Sequence, residues 1–328
     1  MVVRRVVSRH RARSRASPPD EMPLKTHSLR ADCLMLFAAL LWGCSFVVQR
    51  LSLATIGPLL FTGVRFLLGA TVIALLSHWL KRPAAGAARQ HVDWPWGPGS
   101  VLGVVVAISI AAQQVGLAYT KVANAGFISS MYVVIVPLLS VLLGQTLRLG
   151  IIAGALCATV GLYFLSGEHL TLSYGDGLEL FGAVAIALQL MLLGAYTQKH
   201  DPLTLALIQN LVCGVVCMLA AWVVEPVRWQ DVERSTMTLL YCGVISVGVG
   251  YAIQAVAQRD ALPAHAAIIF SMEGVFAALA ARVFIHEQLS WHAIIGCSLV
   301  VAGCIASQAP GRRRISGSSQ ASSPINGR

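Results

Sequence analysis

Charged side chains are what this sequence has least of. Only 12% of its 328 residues are Asp, Glu, Lys or Arg, and 14 are acidic, where a soluble domain carries about a quarter charged. Too little polar surface remains to face water on all sides, so a soluble globular protein is excluded. Long polar connections are missing as well, so no loop can hold a domain. There is no nucleotide-binding loop, no His-Glu-x-x-His pair and no serine elbow. ATP-driven action by this chain, metal-dependent hydrolysis and serine hydrolysis are therefore not expected, and neither is a cofactor or a metal.

The eight cysteines sit in or beside apolar runs. Cys213 and Cys217 are one helical turn apart without a histidine pair nearby, so small apolar packing residues are the expectation, not ligands or disulfides. The net charge of +10 does not point to nucleic acid, because the basic residues fall in the two tails and in short loops and no folded module is left to read a base.

What the chain does have is apolar length. Hydrophobic residues make up 56% of it and the mean hydropathy is +0.72. Runs long enough for a ~30 Å hydrocarbon core recur at 31–51, 57–80, 98–119, 123–143, 148–166, 177–197, 203–224, 237–257, 263–284 and 291–308. The lipid bilayer is thus an expected partner. Residues 1–30 form a basic tail without an apolar face and 309–328 a polar one, both expected to be disordered. No signal peptide is expected, since no apolar stretch precedes a cleavage site. Met22 opens "MPLKTHSLRADCLMLF", an ordinary amino terminus by itself, so residues 1–21 read as a start-site artefact or a dispensable tail. Alternating the spans puts 18 Lys and Arg on the side of the tails and 4 on the other, or 12 against 4 without the first 21 residues. The positive-inside rule then places both termini in the cytoplasm.

The sequence also repeats itself. "NAGFISSMYVVIVPLLSVLLGQTL" (124–147) matches "HAAIIFSMEGVFAALAARVFIHEQL" (265–289), with Ser130–Met131 on Ser271–Met272 and Asn124 on His265. Earlier, "GPLLFTGVRF" (57–66) matches "DPLTLALIQN" (201–210), with Pro58 on Pro202 and Arg65 on Gln209. Five spans per repeat, an odd number, turn the second copy upside down. Inverted repeats are a signature of secondary transporters, whose substrate site lies near the midplane between the halves.

The stretches "LFAALLWGCSFVVQRL", "PLLFTGVRFLLGA", "GDGLELFGAVAIALQ" and "HAAIIFSMEGVFAALAARVFIHEQLSWHAIIGCSLVVAGCIAS" resemble the EamA-type repeat of the drug/metabolite transporter superfamily. The resemblance covers about residues 31–308. It implies an all-α inner-membrane carrier of ten helices, with a first EamA repeat at 31–167 and a second at 175–308. It also implies a small-molecule substrate of the amino-acid or related metabolite class, usually exported and sometimes imported. Three positions depart from the pattern: Gly274 where proline is usual, Gln145 where glutamate is usual, and Ile186 opposite Trp42.

Polar groups inside apolar spans are the candidate site. Arg65 cannot shed its proton. It either holds a substrate carboxylate with its planar fork or pairs with Glu273 across helices; EamA repeats commonly keep "RF" here. Glu273, near mid-bilayer, is expected to couple transport to protons or to serve as a structural carboxylate. Its repeat counterpart Tyr132, the tryptophan Trp42, and the amides Gln209 and Asn210 complete the expected substrate site. Arg282 is expected to snorkel. Gly154 and Gly161, with Gly296 and Gly303, should let helices approach closely, within the chain or in a homodimer. Within the same family the alternative is an importer or facilitative carrier; the rivals from other classes are an intramembrane protease using Asp176 and a membrane scaffold. The protease lacks a second unpaired aspartate for a dyad, and a scaffold needs no inverted halves.

Overall fold

The computed structural model describes residues 29–80, 94–120, 122–166, 173–286, 288 and 290–308. The expectations for the tails, for the 81–93 connection, and for Lys121 and Glu287 fall outside these residues, as does the side chain of Asn124. The described residues are helical and contain no strand. The elements are α1 (Leu29–Ser52), α2 (Pro58–Leu80), α3 (Trp96–Tyr119), α4 (Val122–Ser129), α5 (Tyr132–Leu142), α6 (Leu149–Ser166) and α7 (Tyr174–Tyr196). There follow α8 (Pro202–Val224), α9 (Trp229–Arg234), α10 (Thr236–Leu240), a π-helical stretch (Tyr241–Val249), α11 (Gly250–Gln258), α12 (Pro263–Phe270), α13 (Met272–Phe284) and α14 (Trp291–Ser307).

Local chemistry sets the helix starts. Ser173 and Asp176 form a reciprocal capping box on α7, with Oγ accepting from Asp176 N–H at 3.1 Å and the carboxylate accepting from Ser173 N–H at 2.9 Å. Asp201 caps α8 ahead of Pro202, which needs no N–H in the first turn. The first turn of α2 is capped from the other half: the Glu225 carboxylate accepts from the Leu59 and Leu60 amides at 2.7 and 2.9 Å. A negative group at that end also suits the helix dipole.

Among the described residues, eight apolar stretches are long enough to cross a membrane. Leu149–Phe164 and Trp291–Ser307 are apolar but shorter. The expectation of ten spanning helices is met for eight. Two runs expected to be continuous are broken at equivalent places, at Ser130–Met131 between α4 and α5 and at Ser271 between α12 and α13. Tight i→i−3 bonds mark both turns, Met131 N–H to Ile128 O at 3.0 Å and Gly274 N–H to Ser271 O at 3.2 Å. Pro137, inside α5, withholds the amide that the carbonyl one turn back would accept.

The halves interlock. α2 packs on its counterpart α8, α3 on α7, α1 on α11 and α13, and α6 on α14. The last crossing is among the closest. A methyl on Gly154 would lie 2.6 Å from the Gly303 carbonyl oxygen, and one on Gly303 would lie 2.6 Å from that of Gly154. These glycines therefore serve packing within the chain. At the end where α1 starts, a buried hydrogen bond between His265 Nε2 and Asp32 Oδ1, 3.0 Å, ties the halves together. At the other end Thr120 Oγ1 donates to Asp176 Oδ1 at 2.5 Å. Large side chains such as Leu156, Leu219 and Trp222 remain more than half exposed on the outside, as a lipid-facing surface requires. Arg282 is exposed at the end of α13.

Candidate substrate cavity

Between the halves lies a partly open cavity of about 730 Å³, its mouth included. Its walls come from the second half of α1, the first part of α2, the end of α3, the first residue of α5, the middle of α7, the π-helical stretch with α11, and the broken α12–α13 pair. Both repeats contribute, so the cavity exists only because the copies pack against each other.

Trp42, Arg65, Tyr132 and Glu273 all line it. The indole Nε1 of Trp42 donates to the Ser246 carbonyl of the π-helical stretch at 3.0 Å. Its ring packs on Tyr251 and Phe270, with centroids 5.4 and 5.2 Å away. Phe66 meets Tyr251 edge-on at 5.4 Å, and the four rings make a continuous aromatic wall.

Arg65 is held by Phe66 of this wall and by Phe61 behind it. Its guanidinium carbon stands 5.3 Å from the Phe61 centroid and 5.6 Å from that of Phe66, a favourable cation–π arrangement. The side chain is 3% exposed, and Nε has no hydrogen-bond partner among the described residues. No carboxylate among them lies within ion-pair distance of it. The pairing of Arg65 with Glu273 entertained from sequence is therefore not formed: both groups face one cavity without touching.

Glu273 has other partners. Its Oε1 accepts from Tyr132 O–H at 2.8 Å and from Ser130 O–H at 3.4 Å. Ser130 sits in the α4–α5 break and Tyr132 opens α5, while Glu273 lies in the first turn of α13, just past the α12–α13 break. Carboxyl and phenol are thus the two repeat-equivalent residues, brought together by the pseudo-symmetry.

Gln209 and Asn210 lie outside the lining. Gln209 Oε1 accepts from Gln189 Nε2 at 3.1 Å, and Gln189 Oε1 accepts from Gln254 Nε2 at 3.3 Å. Only Gln254, at the end of this amide chain, reaches the cavity. Asn210 is fully buried, and neither side-chain polar atom has a hydrogen-bond partner among the described residues. The sequence reading did not single out Phe66, Tyr251, Phe270 or Gln49 as lining residues, nor the buried Glu179. Glu179 carried a usable signal, a carboxylate within an apolar run. The aromatic residues did not, since apolar runs of this composition are full of such rings. Asp176, the aspartate of the protease reading, is engaged in its capping box and with Thr120.

No cluster of His, Cys, Asp or Glu suited to a metal occurs among the described residues. The cavity offers one fixed cation, one hydrogen-bonded carboxyl, several amides and an aromatic wall.

The comparisons agree with a carrier. The sequence matches the EamA-like transporter family over residues 29–167 and again over 173–307. An uncharacterized transporter of Archaeoglobus fulgidus is 29% identical over 278 residues, covering 84% of this chain and 85% of that protein. The uncharacterized transporter YwfM of Bacillus subtilis is 27% identical, covering 85% of this chain and 94% of its own. A solved crystal structure shares the fold with a TM-score of 0.69 at 20% identity, over 85% of this chain and 96% of that one. Two matched repeats, apolar helices that pass the membrane several times and a cavity between the copies agree on one assignment: the chain belongs to the EamA-like transporter family.

Proposed function

We propose that this chain is a secondary carrier of carboxylate-bearing, amino-acid-like metabolites, working by alternating access and exporting them across the inner membrane. The observation that carries the reading is the state of Arg65. A buried guanidinium without an ion-pair partner, facing a cavity, is costly unless something occupies that cavity to balance it. A carboxylate fits its fork with two parallel charge-assisted bonds. The aromatic wall takes an apolar side chain. Glu273 with Tyr132 stands ready for an amino group or a proton, and Glu273 is the proposed coupling residue.

The proposed topology has all ten apolar helices crossing, α6 and α14 included, and both termini in the cytoplasm. A reporter fused after residue 310 should then behave as cytoplasmic. Periplasmic activity at that position would overturn either the span count or the orientation. In that orientation the cavity occupies the outer half of the membrane. The Gln189–Gln209 pair and the Asp32–His265 contact would close the cytoplasmic side.

The deciding experiment is flux of a panel of radiolabelled L-amino acids in vesicles containing the purified protein, with and without a proton gradient. Wild type is expected to accumulate carboxylate-bearing members against their gradient only when a proton gradient is imposed. Glu273→Gln should lose that accumulation while retaining exchange of labelled for unlabelled substrate. Accumulation by Glu273→Gln equal to wild type sinks the coupling role. Indifference of wild type to the gradient leaves a facilitative carrier. Flux that ignores the carboxylate sinks the substrate class.

A further inference from the structure

Glu179 is a carboxyl that the carrier cycle above does not use. It lies on α7 and is completely buried, and neither of its oxygens has a hydrogen-bond partner among the described residues. At helical spacing it shares a face with Ala183, Ile186 and Leu190, and the last two line the cavity. Glu179 extends that stripe toward the end of the bundle where Asp176 is bonded to Thr120. The wall opposite is backbone: a methyl on Gly116 of α3 would lie 3.2 Å from Glu179 Cγ. No cation among the described residues lies within ion-pair distance of it. Without donor or cation, an ionised carboxylate is costly in an apolar interior. The neutral, proton-bearing carboxyl is the form such a site accommodates.

Packing does not require an acid there. The repeat places Glu179 opposite Met35, 144 residues earlier, just as it places Ile186 opposite Trp42. Met35 is fully buried in the core, so an unbranched apolar side chain of similar length fills the equivalent position in the first half. One copy of the fold keeps a carboxyl where the other manages without.

We propose that Glu179 is a proton-binding site of this carrier, taking up and releasing one proton at the α3–α7 seam between the Thr120–Asp176 contact and the cavity. The step is a simple one: a proton from solution joins a carboxylate oxygen, and the same O–H bond breaks on release. This rests on the carrier reading above and adds a second acid to Glu273; chains of such acids mark proton paths in membrane carriers.

Infrared spectroscopy of the purified protein in lipid vesicles tests the site without substrate. The observable is the carbonyl stretch of neutral carboxylic acids, followed as the pH is raised and after transfer to D2O. Wild type should show, besides any component that Glu273 contributes, one that disappears at alkaline pH and shifts in D2O. Glu179→Gln and Glu179→Met, the second copying the first repeat, should both lack it, and Glu273→Gln should keep it. A component that neither titrates nor shifts means a sealed, static acid and overturns the proposal. So does a wild-type spectrum identical to that of Glu179→Met. Because no substrate is present, this result stands apart from the flux experiment: either one can fail while the other holds.

Discussion

Gly161→Val is expected to destroy the seam between α6 and α14. A Cβ at position 161 would lie 2.6 Å from the Gly296 carbonyl oxygen and 2.7 Å from the Val300 nitrogen. These are backbone atoms of the facing helix and cannot rotate aside as a side chain can. The helices must separate, and the opening spreads to Gly154 and Gly303 one heptad away, where the spacing is equally close. Overpacking in a dense core costs about 1–3 kcal/mol and sometimes more. Membrane helices also lean heavily on such close approach, having no hydrophobic drive between them. Thermal unfolding in detergent should show a markedly lower midpoint for Gly161→Val, and pairing it with Gly154→Val should leave little folded protein. Gly97→Ala is the control, since nothing stands within 4 Å of its added methyl. An unchanged midpoint for Gly161→Val would mean that the crossing is looser than described.

The second large effect is expected at Arg65. Arg65→Gln removes the charge and copies the residue of the other repeat. If the guanidinium holds a substrate carboxylate, the loss is that of charge-assisted hydrogen bonds, about 1.5–3 kcal/mol, or roughly ten- to hundredfold in affinity. Arg65→Lys keeps the charge but not the fork, and should lie between that variant and wild type. Folding should survive both. The arginine is buried, with Nε unpaired and no carboxylate in reach. Exchanging an uncompensated buried charge for a neutral amide relieves a desolvation cost, so the unfolding midpoint of Arg65→Gln should equal or exceed that of wild type. Binding of a labelled amino acid that wild type transports, measured beside thermal unfolding on both variants, decides the point. Wild-type affinity in Arg65→Gln, or unfolding that only a second change at Glu273 rescues, would make the arginine a structural group.

The membrane helices were legible because apolar length and internal repetition are properties of the sequence itself. Pro58 against Pro202 and Ser130–Met131 against Ser271–Met272 were enough to show two copies. The helix breaks at those serines were not legible. Apolar residues run straight through both, and the break lies in hydrogen-bond register, i→i−3 instead of i→i−4, which no side chain announces. Arg65 and Glu273 stood out as charges in apolar runs. Their lack of direct contact could not be read, since two charges of opposite sign in otherwise apolar spans invite the assumption of a pair. Gln209 occupies the repeat position of Arg65, yet α8 turns it to Gln189 rather than to the cavity. Pseudo-symmetry relates backbones, and a longer or shorter side chain then chooses its own neighbours. Tyr251 and Phe270 enter the wall through the packing of α11 and α12 on α1, an arrangement set between helices distant in the chain.

The tight α6–α14 seam has a bearing on the lipid around it. Trp291–Ser307 has 17 residues, about 26 Å of helix at ~1.5 Å per residue, against a hydrocarbon layer of ~30 Å. A short element in a thick bilayer forces lipids to thin locally, at a fraction of a kcal/mol per ångström. Where this pair crosses, as proposed, the protein carries a built-in preference for thinner membranes on one flank only. Acyl-chain length then becomes a variable that pulls on the seam joining the last helices of the two halves.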